Sequence, residues 1–502
     1  RDLVRSRGLG DVYKRQKHGK QSNSNESKRF DKILREKDVF AIAFGAMIGW
    51  GWVVLVGAWV NSAGSLGAMI SFLAAAFMIL FEGLIYSELT SAMPLTGGEQ
   101  QFSMRAMGKN GSFVCTWGLI LSYIGVAAFE ACALPSVLQY IFPDIMQGYM
   151  YTIAGFDVYA SWVAIGSISA LILTLINIRG VGMAAKLQNW LTYIIAAIGI
   201  ALIALSAVRG DVNNMQPLFE DGYKGVLSVT VMTPFMFLGF DVIPQAAEEI
   251  KIPLKKIGRV MILSIVMAAV WYVAIIFAVS MAMNADEMLS AELVTADAMK
   301  KLCNNQKLAA DVVIIGGVAG ILSSWNSFFI GGSRAIFALS ETKLIPEVFS
   351  KLHKKYKTPY VSVIFVGVLS MIAPFFGQQM LTWLTDVGSF GAVLAYFFVA
   401  VSFVLLRKNE PEMERPYKVR FPRFVGTMAV ILTGFMLILY IPGLPSGFSK
   451  EELIIALLWS ALGAICYFVS VSSWKKKGYS DESLFVDIPY YQRKWKEENK
   501  KS

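Results

Sequence analysis

The chain carries the stretch Thr233-Pro234-Phe235-Met236-Phe237-Leu238-Gly239-Phe240-Asp241-Val242-Ile243-Pro244. This stretch lies in an apolar run, yet it holds two prolines, a glycine and a carboxylate. Proline removes a backbone donor and clashes with the preceding turn, so a straight helix does not run through it. A carboxylate at the centre of a bilayer costs about 2.5–3.5 kcal/mol on insertion scales. A second interrupted stretch, Gly45-Ala46-Met47-Ile48-Gly49-Trp50-Gly51-Trp52, lies in the charge-free run Ile42 to Trp59. Each of its glycines weakens a helix by about 1 kcal/mol relative to alanine. Alone, Gly45-x-x-x-Gly49 reads as a helix-packing face, which small residues also serve. Paired breaks at corresponding places in two halves of a membrane chain instead point to a transport site. Freed N–H groups there bind a carboxylate, and freed C=O groups bind an ammonium or Na⁺.

Composition supplies the bilayer. The chain has 502 residues, is 55% hydrophobic and is only 16% charged, too little charge to cover a soluble surface. Apolar runs of about 20 residues recur, each long enough to cross. They predict an all-α polytopic membrane protein of twelve spans, at about 39–62, 66–92, 113–141, 160–178, 188–208, 226–250, 260–283, 307–340, 360–377, 380–406, 424–443 and 452–473. Spans one to five and six to ten share features, the first of each set being interrupted, as an inverted repeat would.

The net charge of +10 does not point to nucleic acid, because its placement alternates. Basic residues gather in Lys28 to Lys37, Arg105 to Lys109, Arg179 to Lys186, Lys251 to Arg259, Lys343 to Lys357, Arg407 to Arg423 and Lys475 to Lys501. The intervening loops, such as Pro143 to Asp157 and Asn284 to Asp297, are neutral or acidic. That is the positive-inside pattern, with both termini in the cytoplasm of a cell whose plasma membrane the chain spans. The organisation expected is a cytoplasmic arm over 1–38, a membrane domain over 39–473 and a cytoplasmic tail over 474–502. Arg1 to Gln16 has no apolar h-region and reads as non-native flanking sequence rather than a signal peptide.

Cys115, Cys132, Cys303 and Cys466 show no metal-type spacing, and His18 and His353 lie in polar segments. No G-x-S-x-G, H-E-x-x-H or phosphate loop is present. The reading is therefore of a non-enzyme with no catalytic residue, cofactor or metal site. Glu82, Glu130 and Asp241 are the acids placed deepest, and an intramembrane carboxylate is a functional candidate by default. Asp241 reads also as a cap for broken backbone ends, Glu130 as a partnered bundle charge, and Glu82 as a neighbour of Glu88 near the cytoplasmic end of span two. Glu248, Glu249 and Lys251 read as a loop-anchoring network. Ser323 and Ser324 could offer hydroxyls to Na⁺, though such serines more often bond their own helix.

On these residues the chain resembles the amino acid–polyamine–organocation superfamily of permeases. The likeness runs from about Phe40 to Pro422. It is carried by the span-one glycines, by Tyr86-Ser87-Glu88 leading to Pro94 and Gly97-Gly98-Glu99, by Asn177-Ile178-Arg179-Gly180, and by Lys186-Leu187-Gln188-Asn189. Gly239-Phe240-Asp241 with Ala247-Glu248-Glu249 is the most specific element, and Ser333-Arg334, Leu344-Ile345-Pro346, Lys357-Thr358-Pro359-Tyr360 and Glu410-Pro411 follow in order.

The resemblance implies a ten-helix inverted repeat of the leucine-transporter type with two extra C-terminal helices. It implies an amino acid or amine substrate and alternating access. Met47, Ile48, Gly49, Trp50 and Gly51 would wrap the substrate carboxylate, with Phe235, Phe237, Leu238 and Gly239 facing it and Phe235 near an aromatic gate. Coupling would use a proton, sodium or a counter-substrate, with Asp241, Glu130 and Ser323 as candidates. Two departures stand out. Trp50 and Trp52 occupy positions where relatives carry smaller side chains. Ile195 stands where some proton-coupled relatives carry lysine, so a proton would fall to a carboxylate. A sensor that binds without transport would share the fold, but no cytoplasmic segment is long enough to signal by itself.

Overall fold

The structure is a computed structural model and describes residues 30–444 and 447–476. The expected flanking segment, most of the N-terminal arm and nearly all of the C-terminal tail lie outside the described residues. The chain divides into two units, Arg1–Asp31 and Lys32–Ser502, and all that follows concerns the second.

Eleven helices among the described residues are long and apolar enough to cross a membrane, from Ser65–Ala92 to Lys450–Lys476. The protein is thus a polytopic helical membrane protein. The stretch expected as span one is not among the eleven because it is cut into Glu36–Met47, Gly51–Val54 and Val56–Ala63, of 12, 4 and 8 residues. Span six is continuous only from Tyr223 to Met232. It tightens to a 3₁₀ turn over Thr233–Phe237 and resumes as the short helix Val242–Gln245.

Three local features depart from the expected layout. The helix of span three begins at Glu99, not near 113, and runs to Ile141 through a kink at Gly108, φ 74°. Forty-three residues of helix span roughly 65 Å, twice a bilayer core, so the polar piece before Gly108 is a separate arm. The loop before span four holds an antiparallel hairpin, Tyr149–Ile153 with Phe156–Tyr159, so the chain is not purely α. Its two-residue turn, Ala154-Gly155, has positive φ at both positions, which matches the twist of the strands it joins. The loop after span seven carries two short helices, Ala285–Ser290 and Val294–Leu302.

Span three is the most buried of the long helices and packs along Gly377–Asn409 and Lys307–Glu341. Span two pairs with span seven, and span four with span nine. Glu36–Met47 packs against spans five, seven and eight. The helices Pro422–Leu439 and Lys450–Lys476 are mostly exposed, as lipid-facing helices are.

Candidate functional site

The two breaks meet. The helix beginning at Glu36 stops at Met47, and Ile48 leaves helical geometry at φ −99°, ψ 75°. Across from it, Leu238 is extended and Gly239 adopts φ 129°, a left-handed conformation that side chains resist. A Cβ on Gly239 would lie 3.1 Å from the Met47 nitrogen and would collide with Ala46. Gly51 likewise leaves only 3.0 Å to the Met236 sulfur. Glycine at both positions is what lets the broken segments touch.

One group at each break has a side-chain partner. Tyr272 of span seven donates its hydroxyl to the Met47 carbonyl at 2.8 Å. Asp241 accepts the Gly239 N–H at 2.8 Å and the Tyr123 hydroxyl at 2.6 Å, so it caps the span-six break and ties it to span three. Of the two roles considered for Asp241, capping is the one its hydrogen bonds display.

Glu130 is different. It is buried on span three, one carboxylate oxygen has no hydrogen-bond partner, and the other lies 3.3 Å from where a Cβ on Gly49 would stand. Ser324 lines the same spot at 3.6 Å. A buried carboxylate with spare acceptor capacity therefore faces the non-helical turn of span one. Glu82 is also buried, in span two, with both oxygens unpartnered.

Ser323 accepts a 2.6 Å hydrogen bond from the Gln188 amide, which also reaches the Ala41 carbonyl at 3.1 Å. Asn326 donates to the Gln188 oxygen at 2.9 Å, and Asn177 donates to Asn326 at 3.0 Å. This buried polar chain joins spans four, five, eight and one. Gln188 and Asn177 belong to motifs that carry the resemblance, but only the fold reveals their contacts. A mid-membrane Gln or Asn is itself a signal, because an unsatisfied amide there is costly. Ile195, buried on span five, contributes only packing.

The remaining candidates diverge. Phe237 is fully buried against the Phe72 and Tyr272 rings, at 6.4 and 6.1 Å. Phe235 and Leu238 border a cavity of about 440 Å³ that also touches Trp59, Asp386, Tyr396 and Glu452. Trp52 is buried edge-on to Trp271 at 5.5 Å. The Trp50 ring lies over Gly317 of span eight, where a Cβ would strike it, and its other side borders a cavity of about 420 Å³.

Below the breaks the structure is closed by ion pairs. Arg334 and Glu249 form a buried bidentate pair at 2.7 and 3.2 Å. Glu88 is held by Arg407 at 2.7 Å and by Arg415 at 3.1 Å. Glu248 accepts the Thr96 N–H at 3.1 Å, and the Lys251 N–H reaches the Leu34 carbonyl at 2.7 Å. These contacts fit the loop-anchoring role that Glu248, Glu249 and Lys251 suggest in the sequence.

Residues 34–470 match the family described as amino acid permease. The chain belongs to the amino acid permease family. It is a transporter-family protein and not an enzyme, as the superfamily resemblance implies. It is 27% identical over 454 residues to the branched-chain amino acid permease BcaP of Bacillus subtilis (strain 168), covering 86% of this chain and 91% of that one. It is 26% identical over 460 residues to a methylthioribose transporter of the same organism, covering 89% and 95%. It is also 24% identical over 422 residues to an aspartate-proton symporter of that organism, covering 81% and 79%.

Proposed function

We propose that this permease is a secondary transporter of amino acids or closely related amines across the cytoplasmic membrane. The observation that carries the reading is the contact of two broken spans at Gly239 and Met47, beside a buried carboxylate with a free oxygen. Met47, Ile48, Gly49, Trp50 and Gly51 offer backbone groups to a substrate carboxylate. Gly239, with Phe235, Phe237 and Leu238 next to it, forms the span-six side, and its carbonyls take an ammonium. Freed backbone at a half-helix end is suited to both charges.

In this reading Glu36–Ala63 is the first of twelve crossings, broken by its own site. Ten helices form a five-plus-five inverted repeat, and two more follow. Both ends are cytoplasmic, with an arm over 1–38, the permease domain over 39–473 and a tail over 474–502. Alternating access rocks one bundle against the other. The ion pairs below the breaks and the cavities above them suit an outward-facing form.

Glu130 is the stronger candidate for coupling to a proton, because Asp241 is already engaged by two donors. Ser323 would serve sodium only by exchanging its bond from Gln188. The relatives' names support a small zwitterionic or polar substrate and proton coupling in at least one case. Those named cargoes differ, so the test must be broad. Uptake into proteoliposomes of a panel of amino acids and amines, under proton, Na⁺ and internal-substrate gradients in turn, tests the proposal. Saturable, gradient-driven uptake of one class is expected. Binding without uptake across the panel would turn the reading to a sensor.

A further inference from the structure

The cavity above Trp50 has chemistry of its own. Its volume is about 420 Å³, and its walls include Trp50, Tyr140, Phe156, Tyr159, Trp162 and Asp157. Five of those six side chains are aromatic, the sixth is a carboxylate, and no Lys or Arg lines the space among the described residues. Aromatic faces attract a cation lodged among them, most strongly when it is partly desolvated.

Further carboxylates stand near the wall, with Lys300 beside one of them. The segment 143–159, which holds the hairpin, carries Asp144 and Asp157 and no basic residue. Glu292 and Asp297 stand within electrostatic reach of Tyr140. Burial raises the Asp297 carboxyl above its ordinary value, Lys300 pulls it down, and Glu292 adds to the rise. A cleft walled by one sign of charge concentrates the opposite ion.

The hairpin that presents Asp157 is fixed in place. Tyr151 donates to the Phe375 carbonyl at 2.7 Å, and Thr152 holds one Asp157 oxygen at 2.6 Å. Asp157 remains exposed, and its other oxygen meets no protein donor among the described residues. Trp162, which lines the cavity, is 2% exposed and its indole N–H has no acceptor. Both an acceptor and a donor in the wall thus have unused capacity.

The cavity also stands over the candidate site. Val137 and Tyr140, both in its wall, lie seven and ten residues beyond Glu130 on one helix, so all three share a face. That spacing puts the wall roughly 10–15 Å above the carboxylate. Trp50, docked on Gly317, lines the cavity, and Gly49, next to it in the chain, faces Glu130.

We propose that this cavity is a second binding site, selective for organic ammonium groups, with Trp50 as the partition between it and the two breaks. As a waiting point on the way to the breaks it rests on the transport reading; as a binding site it stands by itself.

Binding is measured by calorimetry on the full chain in nanodiscs, with choline as probe and its neutral isostere, carbon replacing the quaternary nitrogen, as control. Choline is expected to bind, and the isostere to bind at least about tenfold more weakly. Asp157→Asn and Tyr140→Leu should each weaken choline by roughly three- to tenfold, the worth of one cation contact. Both positions are exposed, and an unchanged melting transition confirms that each variant is folded. Equal binding of probe and isostere, no binding of either, or affinity untouched by both variants would overturn the site. Loss of choline binding in Glu130→Gln but in neither wall variant would place the cation at the breaks and would also overturn it. Failure of the transport reading shows separately, as absent uptake with choline binding intact.

Discussion

Replacing Gly239 by alanine should separate the two breaks. Two costs arise. A non-glycine residue at φ 129° carries about 1–3 kcal/mol of backbone strain. The new methyl would meet Ala46 and stand 3.1 Å from the Met47 nitrogen, an overpacking cost of about 1–3 kcal/mol. Together these amount to about 2–6 kcal/mol, so even the low end shifts an equilibrium more than tenfold. Gly180 supplies the control. It has nearly the same φ, 121°, but nothing lies within 4 Å of its Cβ position, so Gly180→Ala carries the strain alone. Thermal melting of both variants, with uptake into proteoliposomes, separates the two costs. Gly239→Ala should melt lower than Gly180→Ala and lose most uptake, while Gly180→Ala keeps it. Equal melting and equal uptake would refute the contact between the breaks.

Other outcomes follow from the same geometry. Arg334→Leu leaves Glu249 buried and unpaired, a loss of about 3–5 kcal/mol. Arg334→Leu with Glu249→Leu should recover most of it in melting assays, and a neutral single variant would argue against the pair. A single cysteine at Lys256 should react with an impermeant reagent only from the inside, since the loop is basic; reaction from outside would sink the topology. If protons drive uptake, Glu130→Gln should abolish its pH dependence more completely than Asp241→Asn, and unchanged profiles in both would remove these residues from coupling. Trp50→Ser should admit bulkier substrates and weaken small ones by up to about tenfold per 1.4 kcal/mol lost, and an unchanged profile would mean the ring only packs on Gly317.

Much of this architecture is legible in the sequence because a bilayer leaves few choices. Apolar runs give the crossings, and Gly45 to Gly51 and Pro234 to Pro244 give the breaks. The arm from Glu99 to Met107 escapes that logic: Gln100, Gln101 and Arg105 read as loop, yet the arm is helical. The hairpin escapes because its alternation is only about five residues long and follows an apolar helix. Side-chain partners escape for a different reason. Gln188 and Ser323, or Tyr272 and Met47, lie 135 and 225 residues apart, and no local pattern pairs them. The directions of Trp50 and Trp52 are equally hidden, because a ring beside an unwound turn is aimed by its tertiary neighbours, Gly317 and Trp271.

Substrate bound at the breaks should shield position 49 from modification. A Cβ there has 3.3 Å to Glu130 and 3.6 Å to Ser324, so a cysteine fits with only a slight shift of its neighbours. In a background without other cysteines, Gly49→Cys protein is reconstituted, and its thiol is modified with and without the amino acid that the uptake panel identifies. Saturating substrate is expected to slow modification, with half-protection at the concentration that half-saturates binding to the same variant. Modification at the same rate with the site saturated would place the substrate away from the breaks and contradict the account.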